Sequence, residues 1–333
     1  MYKFYIPNTG NDNATAFYIK VIQKAVLSNG GKVAYTSDLD EIYTDDIVIV
    51  IHPYHFLQVY MKRPKKIISW IQGVTPEECW MTTKNPFSRI IKYILYSIEE
   101  KLLLKNSSLI FFVSEQMHQH YKKKYGYNKN NYFIMPCFNQ YLNIDAFNND
   151  KYSVPKFVYS GSLAKWQCFE ETVILFKMIR EEIKDATFTI YTSERELAKT
   201  ILEKYGIEAE LKYVPYNQMA DEMKVYKYGF LIREDVVVNR VATPTKMNSY
   251  LANGIIPIYS NVIGAFAKEF KGKKFFIPMN NNIDGSIGKL VALESSLIEA
   301  SDVLSEYQEI FSQYYSEPYY INEIVNIFKM HLK

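Results

Sequence analysis

The segment FLIREDVVVNRVATPTKMNSYLANGIIPIYS (230–260) contains the residue types that bind a phosphate. Arg233 follows an apolar run that predicts a buried strand, and Lys246 lies where a helix is expected to begin. Thr243 is the expected N-cap of that helix and Pro244 its first residue. Free N–H groups at a helix N-terminus bind anions, and nearby cations strengthen that binding. The segment predicts a phosphate or diphosphate site; a capped helix with a surface arginine is the alternative.

A second candidate is VYSGSLAKWQCFEE, where Gly161 and Ser162 follow an apolar run. A glycine at the end of a strand lets a ligand approach the backbone closely, and Lys165 could meet an oxyanion. One glycine is a far weaker signal than a glycine-rich phosphate loop. Taken alone, the segment is an ordinary turn.

Residues that could bind a sugar follow two other apolar runs. WIQGVTPEECW offers Gln72, Gly73, Glu77 and Glu78 between two tryptophans, and aromatic faces with carboxylates suit sugar rings. The two glutamates could equally form the solvated first turn of a helix. His52 in IHPYHF is either a general base or, as we favour, a neutral hydrogen-bonding residue.

Composition excludes several classes of protein. The 39 Lys and Arg nearly balance the 36 Asp and Glu, which argues against a nucleic-acid binder. Three scattered cysteines predict a reducing compartment, and neither a signal peptide nor a membrane span is visible. The tripeptide DLD at 38–40 lacks phosphate-binding neighbours, so we predict no metal and no cofactor. Of the 29 tyrosines, Tyr121, Tyr125 and Tyr127 are expected in surface segments.

Short apolar runs alternate with longer amphipathic stretches along the whole chain. Runs such as IVIVI and LIFFV lack polar alternation, as do strands buried on both faces of a parallel sheet. Strand–helix alternation predicts an α/β fold with two doubly wound, Rossmann-like domains facing a cleft. The predicted strands are 3–7, 32–36, 47–51, 67–71, 109–113, 132–135, 156–160, 187–191, 211–214, 229–232, 255–259 and 274–277.

The domain boundary is expected in the polar stretch AFNNDKYSVPK. Residues 1–150 would form the first domain and 151–315 the second. A helix over 316–333 would pack back on the first domain. Ligands of such folds bind at the carboxyl ends of the strands, where the candidate residues lie.

The basic stretch KRPKK at 62–66 and the segment 85–105 have two interpretations. In the favoured one, a helix packs its apolar side on the sheet through Ile90, Ile91, Ile94, Leu95 and Ile98. In the other, a basic and aromatic rim rests on an anionic membrane.

The order of these segments resembles a GT-B glycosyltransferase of family 4. YSGSLAKWQ is similar to the first loop of that family's nucleotide-sugar domain, and VATPTKMNSYLANGIIPI to the segment that closes around the donor. VPYNQMADEMKVYKYGFLIRED, IFFVSEQMHQHYKKKYGY and YFIMPCFNQ resemble further segments in the same order. The resemblance covers nearly the whole chain.

The resemblance implies that residues 1–150 bind the acceptor and that 151–315 bind the nucleotide-sugar, and it implies roles for named residues. Arg233 and Lys246 would stabilise the leaving nucleoside diphosphate in place of a metal. The donor-binding residues would be Gly161, Ser162, Lys165, Tyr213, Tyr216, Pro244, Thr245 and Ser249. The acceptor-binding residues would be Gln72, Gly73, Glu77, Glu78 and His52.

Two positions depart from the family pattern. The E-x7-E pair would fall at Val241 and Ser249, and Gln72 replaces an expected histidine. The resemblance implies a cytoplasmic enzyme, at the inner face of the cell membrane. It would transfer a sugar, with retention and without metal, from a nucleotide diphosphate-sugar to a growing, lipid-linked bacterial surface polysaccharide. The alternative is a catalytically silent protein that binds glycan or a partner glycosyltransferase.

Overall fold

The computed structural model describes residues 1–7, 13–280 and 283–332, apart from the side chains of Asn13, Ala14 and Tyr216. The chain forms two compact units. The first comprises Met1–Asn139, Arg240–Thr243 and Ser316–Lys333, and the second comprises Gln140–Asn239 and Pro244–Tyr315.

The first unit contains a six-stranded parallel sheet with the order β2-β1-β3-β4-β5-β6. Its apolar strands are buried, as the absence of polar alternation predicted. The strands are β1 (Tyr2–Tyr5), β2 (Val33–Thr36), β3 (Ile47–Val50), β4 (Lys66–Ile71), β5 (Leu109–Phe112) and β6 (Tyr132–Ile134). The helices between them are α1 (Asn13–Ser28), α2 (Phe56–Met61), α3 (Thr75–Thr82), α4 (Pro86–Asn106) and α5 (Glu115–Tyr125).

The second unit contains another six-stranded parallel sheet, with the order β12-β11-β10-β7-β8-β9. Its strands are β7 (Lys156–Ser160), β8 (Thr187–Tyr191), β9 (Glu210–Lys212), β10 (Tyr228–Leu231), β11 (Ile256–Ser260) and β12 (Ile277–Met279). Helices up to residue 313 are α6 (Asn149–Tyr152), α7 (Phe169–Glu182), α8 (Arg195–Tyr205), α9 (Tyr216–Met223), α10 (Val237–Val241), α11 (Thr245–Ala252), α12 (Gly264–Glu269), α13 (Ile283–Glu294) and α14 (Ala300–Gln313). Strand order reverses between β7 and β10, which is the switch point of a Rossmann sheet.

The units divide in sequence between Asn139 and Gln140, ahead of the boundary expected at residue 150. The reason is hydrogen bonding inside the second unit. The backbone N–H of Gln140 donates to Asn248 Oδ1 at 2.8 Å, and that of Asn143 donates to the carbonyl of Ala252 at 2.8 Å. The polar stretch after residue 140 is therefore part of the second unit.

The last helix, α15 (Glu317–His331), belongs to the first unit and packs on α1. Phe328 is buried and stacks on Tyr2, with ring centroids 5.8 Å apart. Lys24 on α1 and Glu317 form a salt bridge of 2.6 Å.

Helix α4 contradicts the favoured interpretation of its sequence. Five apolar residues expected to pack on the sheet are between 42% and 59% exposed: Ile90, Ile91, Ile94, Leu95 and Ile98. The side turned inward instead carries Glu100, Leu103 and Leu104. Within the described residues, no helix has both the length and the apolar character needed to cross a bilayer.

Candidate functional site

The switch point of the second unit brings two distant sequence segments together. Strands β7 and β10 are hydrogen-bonded neighbours, so Gly161, just after β7, and Arg233, just after β10, follow adjacent strands. Lys246 reaches the same place from α11, and its Nζ lies 3.2 Å from where a Cβ on Gly161 would be. Ligands of open α/β sheets bind at this edge.

Arg233 is fixed by hydrogen bonds to the chain around it. Its backbone N–H donates to Ser260 Oγ at 2.7 Å, at the end of β11. Its Nη1 donates to the carbonyl of Ile232 at 3.0 Å and, at 3.5 Å, to that of Gln167. The side chain is thus buried and held in one orientation.

Lys246 lies in the first turn of α11 and is half-buried. Its Nζ is 3.4 Å from Gln167 Oε1 and stands over the ring of Tyr159, 4.4 Å from the centroid. An amide oxygen and an aromatic face are both weaker partners for an ammonium group than a carboxylate is.

No acidic side chain in the described part of the chain pairs with Arg233 or Lys246. Burial lowers the pKa of Arg233, partly offset by Tyr159, Cys168 and Tyr250, none of which is a carboxylate. Burial and the nearby Arg233 hold the pKa of Lys246 well below its ordinary value. An anionic ligand would supply a negative charge opposite Arg233 and Lys246.

Gly161 has a conformation that other residues rarely adopt, with φ of +138°. Its N–H donates to the carbonyl of Tyr191 at 2.9 Å. The residue is exposed, and the absence of a side chain leaves open the approach to Lys246. A glycine is required here both by the backbone and by the space.

The helix start differs by one residue from the sequence expectation. Thr245 is the first helical residue and Pro244 is the N-cap. Thr243 does not cap the helix, because its hydroxyl accepts a hydrogen bond from the N–H of Cys137 at 3.0 Å. Thr245 and Lys246 thus open the helix with their N–H groups free of intrahelical partners.

Three other expected donor residues are Ser162, Lys165 and Ser249. Ser162 is exposed, and its carbonyl accepts from Tyr159 Oη at 2.6 Å. Lys165 is exposed and opens a short 3₁₀ turn that ends at Gln167. Ser249 lies on α11, where its carbonyl accepts from Asn253 Nδ2 at 2.9 Å.

Of two further expected donor residues, only Tyr213 has a described side chain, and no described contact joins it to the Arg233–Lys246 pair. Tyr213 is 62% exposed and follows β9, the edge strand, which β8 separates from β7. Tyr216 begins α9, and its side chain lies outside the described part of the chain.

The sequence did not reveal three residues that shape the site. Gln167 contacts both cations, and Tyr159 supplies the ring beneath Lys246. Glu194 Oε2 accepts a hydrogen bond of 2.6 Å from the N–H of Leu163, which fixes the loop after Gly161. The places of two of them in the predicted strands could have revealed them: Tyr159 is in β7, and Glu194 follows β8 at the same edge of the sheet.

The expected acceptor residues lie in the first unit. Gln72 follows β4, and its Nε2 donates to the carbonyl of Ile51 at 3.0 Å. His52 follows β3, the neighbouring strand, and stacks on Tyr54 with centroids 5.2 Å apart. Gln72 thus joins the ends of β3 and β4.

Glu77 is bound within a cluster of charged and hydroxyl groups. Its carboxylate lies 2.8 Å from Lys124 Nζ and 3.3 Å from His120 Nε2. Burial alone would raise the pKa of Glu77, but these two partners hold it below its ordinary value. The buried Glu100 accepts from Tyr121 Oη at 2.8 Å and also meets Lys124.

Tyr121 contradicts the expectation of a surface tyrosine, because it is fully buried and donates to Glu100. Tyr127 is buried as well. Gly73 and Glu78 contact each other: a Cβ on Gly73 would be 2.0 Å from Glu78 Oε1. Desolvation, with the charges of Glu100 and Glu77, raises the pKa of the Glu78 carboxyl even though much of its side chain is exposed.

No protein-family model matches this sequence, and no curated protein matches it. Solved structures do match its fold. Sucrose-phosphate synthase from Thermosynechococcus elongatus has a TM-score of 0.70 at 9% identity, covering 99% of this chain and 98% of that one. S. aureus TarM, in complex with fondaparinux, alpha-GlcNAc-glycerol and UDP, has a TM-score of 0.64 at 12% identity, covering 86% of this chain and 56% of that one.

The pneumococcal O-GlcNAc transferase GtfA, in complex with UDP and GlcNAc, has a TM-score of 0.52 at 12% identity, covering 87% of this chain and 56% of that one. The chain thus spans about half the length of TarM and of this transferase. At such identities the likeness concerns the fold. The two parallel six-stranded units have the α/β fold of GT-B glycosyltransferases.

Proposed function

We propose that this chain is a glycosyltransferase that takes its sugar from a nucleotide diphosphate-sugar. The observation that carries the proposal is the meeting of Arg233 and Lys246 beside Gly161, at a Rossmann switch point and without a carboxylate partner. Two cations and an unhindered glycine at this place suit a diphosphate. Likeness in fold to UDP-bound proteins supports the same ligand class.

In the proposed reaction, the bond between the sugar and the diphosphate breaks and a bond to an acceptor hydroxyl forms. Negative charge develops on the leaving diphosphate, where Arg233 and Lys246 stabilise it without a metal. The acceptor proton passes to the leaving phosphate, which corresponds to retention of configuration. N–H groups of Thr245 and Lys246 would hold a phosphate oxygen.

The finer proposals concern the acceptor and the setting. The acceptor would be a growing, lipid-linked polysaccharide of a bacterial surface, met at the inner face of the cell membrane. Gln72 and His52 are candidates for acceptor contacts because they follow neighbouring strands of the first unit. Glu78 is the more accessible of the two glutamates, since Glu77 is bound to Lys124.

The test is calorimetric titration of the folded protein with UDP, GDP and ADP. At least one should bind, and Arg233→Met and Lys246→Met should each weaken its binding by about one hundredfold. Arg180→Met, a change of one arginine in α7, is the matched control and should leave binding unchanged. If no nucleoside diphosphate binds the folded protein, the donor site is wrongly assigned.

A catalytically silent protein that binds glycan or a partner glycosyltransferase is the second candidate. It is motivated by Val241 and Ser249, which occupy the places of two glutamates in the family that the sequence resembles. Turnover decides between the two: release of nucleoside diphosphate from a panel of nucleotide sugars supports the enzyme. Nucleotide binding without release, with every acceptor offered, supports the silent protein.

A further inference from the structure

Helix α4 presents an apolar stripe to solvent rather than to the protein. Phe87, at its first turn, is 75% exposed, and the stripe continues at helical spacing for three turns. Its further members, each at least 42% exposed, are Ile90, Ile91, Ile94, Leu95 and Ile98. Contiguous exposed apolar surface of this kind marks an interaction site, whereas single exposed residues do not.

The outward orientation of this stripe follows from what α4 binds on its other side. Glu100 is buried and accepts hydrogen bonds from Tyr121 and Tyr125, both 2.8 Å long. Earlier along the same face, Tyr93 packs edge-on against Trp80 of α3, with centroids 5.6 Å apart. Asn85 caps the helix by accepting from the N–H of Ser88. These partners, together with the buried Leu103 and Leu104, fix the inward face, so the apolar stripe is left outside.

The charges that accompany the stripe are positive. On α4 the exposed charged residues are Lys92, Lys101 and Lys105, whereas Glu99 is half-buried and Glu100 is buried. Lys101 and Lys105 continue the line of the stripe, one and two turns beyond Ile98. No acidic side chain among the described residues of α4 is exposed.

The neighbouring helix α2 extends the same combination. It contacts α4, and Tyr60 Oη donates to Asn106 Oδ1 at 3.4 Å. Exposed apolar side chains on α2 include Leu57 and Met61, at 40% and 67%. Immediately after α2, the exposed Arg63 and Lys65 add two more cations. The apolar and basic surface therefore covers two helices.

We propose that the α4 surface, formed by the exposed residues of α4 and α2, binds an anionic lipid membrane. Apolar side chains would enter the boundary between head groups and acyl chains while the lysines contact anionic head groups. A second copy of the chain suits the surface less well. In a symmetric dimer the same patch meets itself, and Lys92, Lys101 and Lys105 would face like charges. This inference rests on the membrane setting of the proposed function and adds the surface that meets the membrane. Vesicle binding is measured without a nucleotide, so its failure is distinguishable from failure of the proposed donor site.

The test is sedimentation of the purified full chain with vesicles. Vesicles of phosphatidylcholine containing phosphatidylglycerol should bind the protein, and vesicles of phosphatidylcholine alone should bind it far less. Two triple variants probe the surface, and because their residues are exposed both should fold. The apolar variant combines Ile91→Ser, Ile94→Ser and Leu95→Ser, and the charge variant combines Lys92→Gln, Lys101→Gln and Lys105→Gln.

Each triple variant should weaken binding to the anionic vesicles by roughly tenfold or more at low salt. The charge variant should also lose most of the salt dependence of binding. Matched controls change equally exposed residues elsewhere and should bind as the wild type does. The apolar control combines Leu197→Ser, Leu297→Ser and Met330→Ser, and the charge control combines Lys20→Gln, Lys268→Gln and Lys271→Gln.

Three results would overturn the proposal. One is the absence of vesicle binding at low salt, and another is equal binding to neutral and anionic vesicles. The third is that the wild type sediments as a dimer and does not bind vesicles, whereas the apolar variant is a monomer. The surface would then serve self-association. Should the apolar variant fail to fold by circular dichroism, the charge variant still decides between these results.

Discussion

Each unit shields a lysine from much of the solvent, and the two lysines have opposite surroundings. In the first unit, Lys124 lies between two carboxylates, 2.8 Å from Glu77 and 3.3 Å from Glu100. In the second, Lys246 meets an amide oxygen, an aromatic ring and the charge of Arg233. The carboxylates raise the pKa of Lys124 against the effect of burial. The pKa of Lys246 is lowered instead.

This difference separates a structural charge from a functional one. A charged side chain that has an oppositely charged partner within the protein contributes to folding. Its charge is already neutralised, so it is not available to bind a ligand. A charge whose partner is absent destabilises the isolated protein and is retained where a ligand supplies the partner. By this criterion, Lys124 holds α3, α4 and α5 together, and Lys246 with Arg233 is proposed to bind an anion.

The largest effect on stability should come from Lys124→Met. It would leave Glu100, whose side chain is only 2% exposed, without its cation. We expect a loss of about 3 kcal/mol in the free energy of unfolding, measured with urea. Affinity for the nucleoside diphosphate should stay the same. A variant as stable as the wild type would show that this cluster is not structural, and the comparison would then fail.

Lys151 sharpens the comparison, because it is a buried cation that also lacks a carboxylate. Its Nζ donates to the carbonyls of Asn253 and Ala146, within the second unit. Burial lowers its pKa from 10.5 to about 7. Between these two pH values the unfolded chain binds one proton more than the folded chain. The free energy of unfolding should therefore rise with pH there, by at most about 1.4 kcal/mol per pH unit.

The measurement for Lys151 is urea unfolding at several pH values from 7 to 10, in the wild type and in Lys151→Met. Other groups titrate in the same range, so the difference between the two proteins is the informative quantity. That difference should change with pH, and it should favour the wild type progressively as pH rises. A constant difference would mean that Lys151 keeps its ordinary pKa in the folded chain.

The sequence was sufficient to predict eleven strands to within two residues and their parallel arrangement, because runs without polar alternation indicate burial on both faces. The twelfth strand, β12, begins three residues later than predicted. It also singled out Gly161 and Arg233 as candidate ligand-binding residues, because the ligands of such sheets bind where the strands end. The structure shows both beside Lys246. Gln167 was missed because its contacts with the two cations depend on how a short turn folds.

The orientation of α4 could not be predicted from its periodicity. A stripe such as Ile90, Ile94 and Ile98 specifies one face of a helix, but it does not specify what that face meets. In most helices it meets the core. Here the inward face is set by partners far away in sequence, among them Tyr121 with Glu100. A tyrosine followed by three lysines gives no sign in the sequence that it is buried.

The smallest change in the free energy of unfolding is expected for Lys246→Met, and its sign is opposite to that expected for Lys124→Met. Removing a cation that burial and Arg233 disfavour should leave the free energy of unfolding unchanged or raise it, by about 1 kcal/mol or less. Nucleotide affinity, by contrast, should fall. Loss of stability on the scale expected for Lys124→Met would show that Lys246 has an internal partner.

The protonation of Lys246 offers a more direct test of which ligand it faces. Without ligand its pKa is lowered, so part of the population is neutral above that pKa. A bound diphosphate raises the pKa again, and binding should therefore take up a fraction of a proton and weaken as pH rises. Calorimetry in two buffers with different protonation enthalpies measures this uptake, at a pH where the diphosphate is fully ionised. Lys246→Met should bind the nucleoside diphosphate more weakly and without proton uptake. If the wild type also binds without uptake, the diphosphate contacts Arg233 alone.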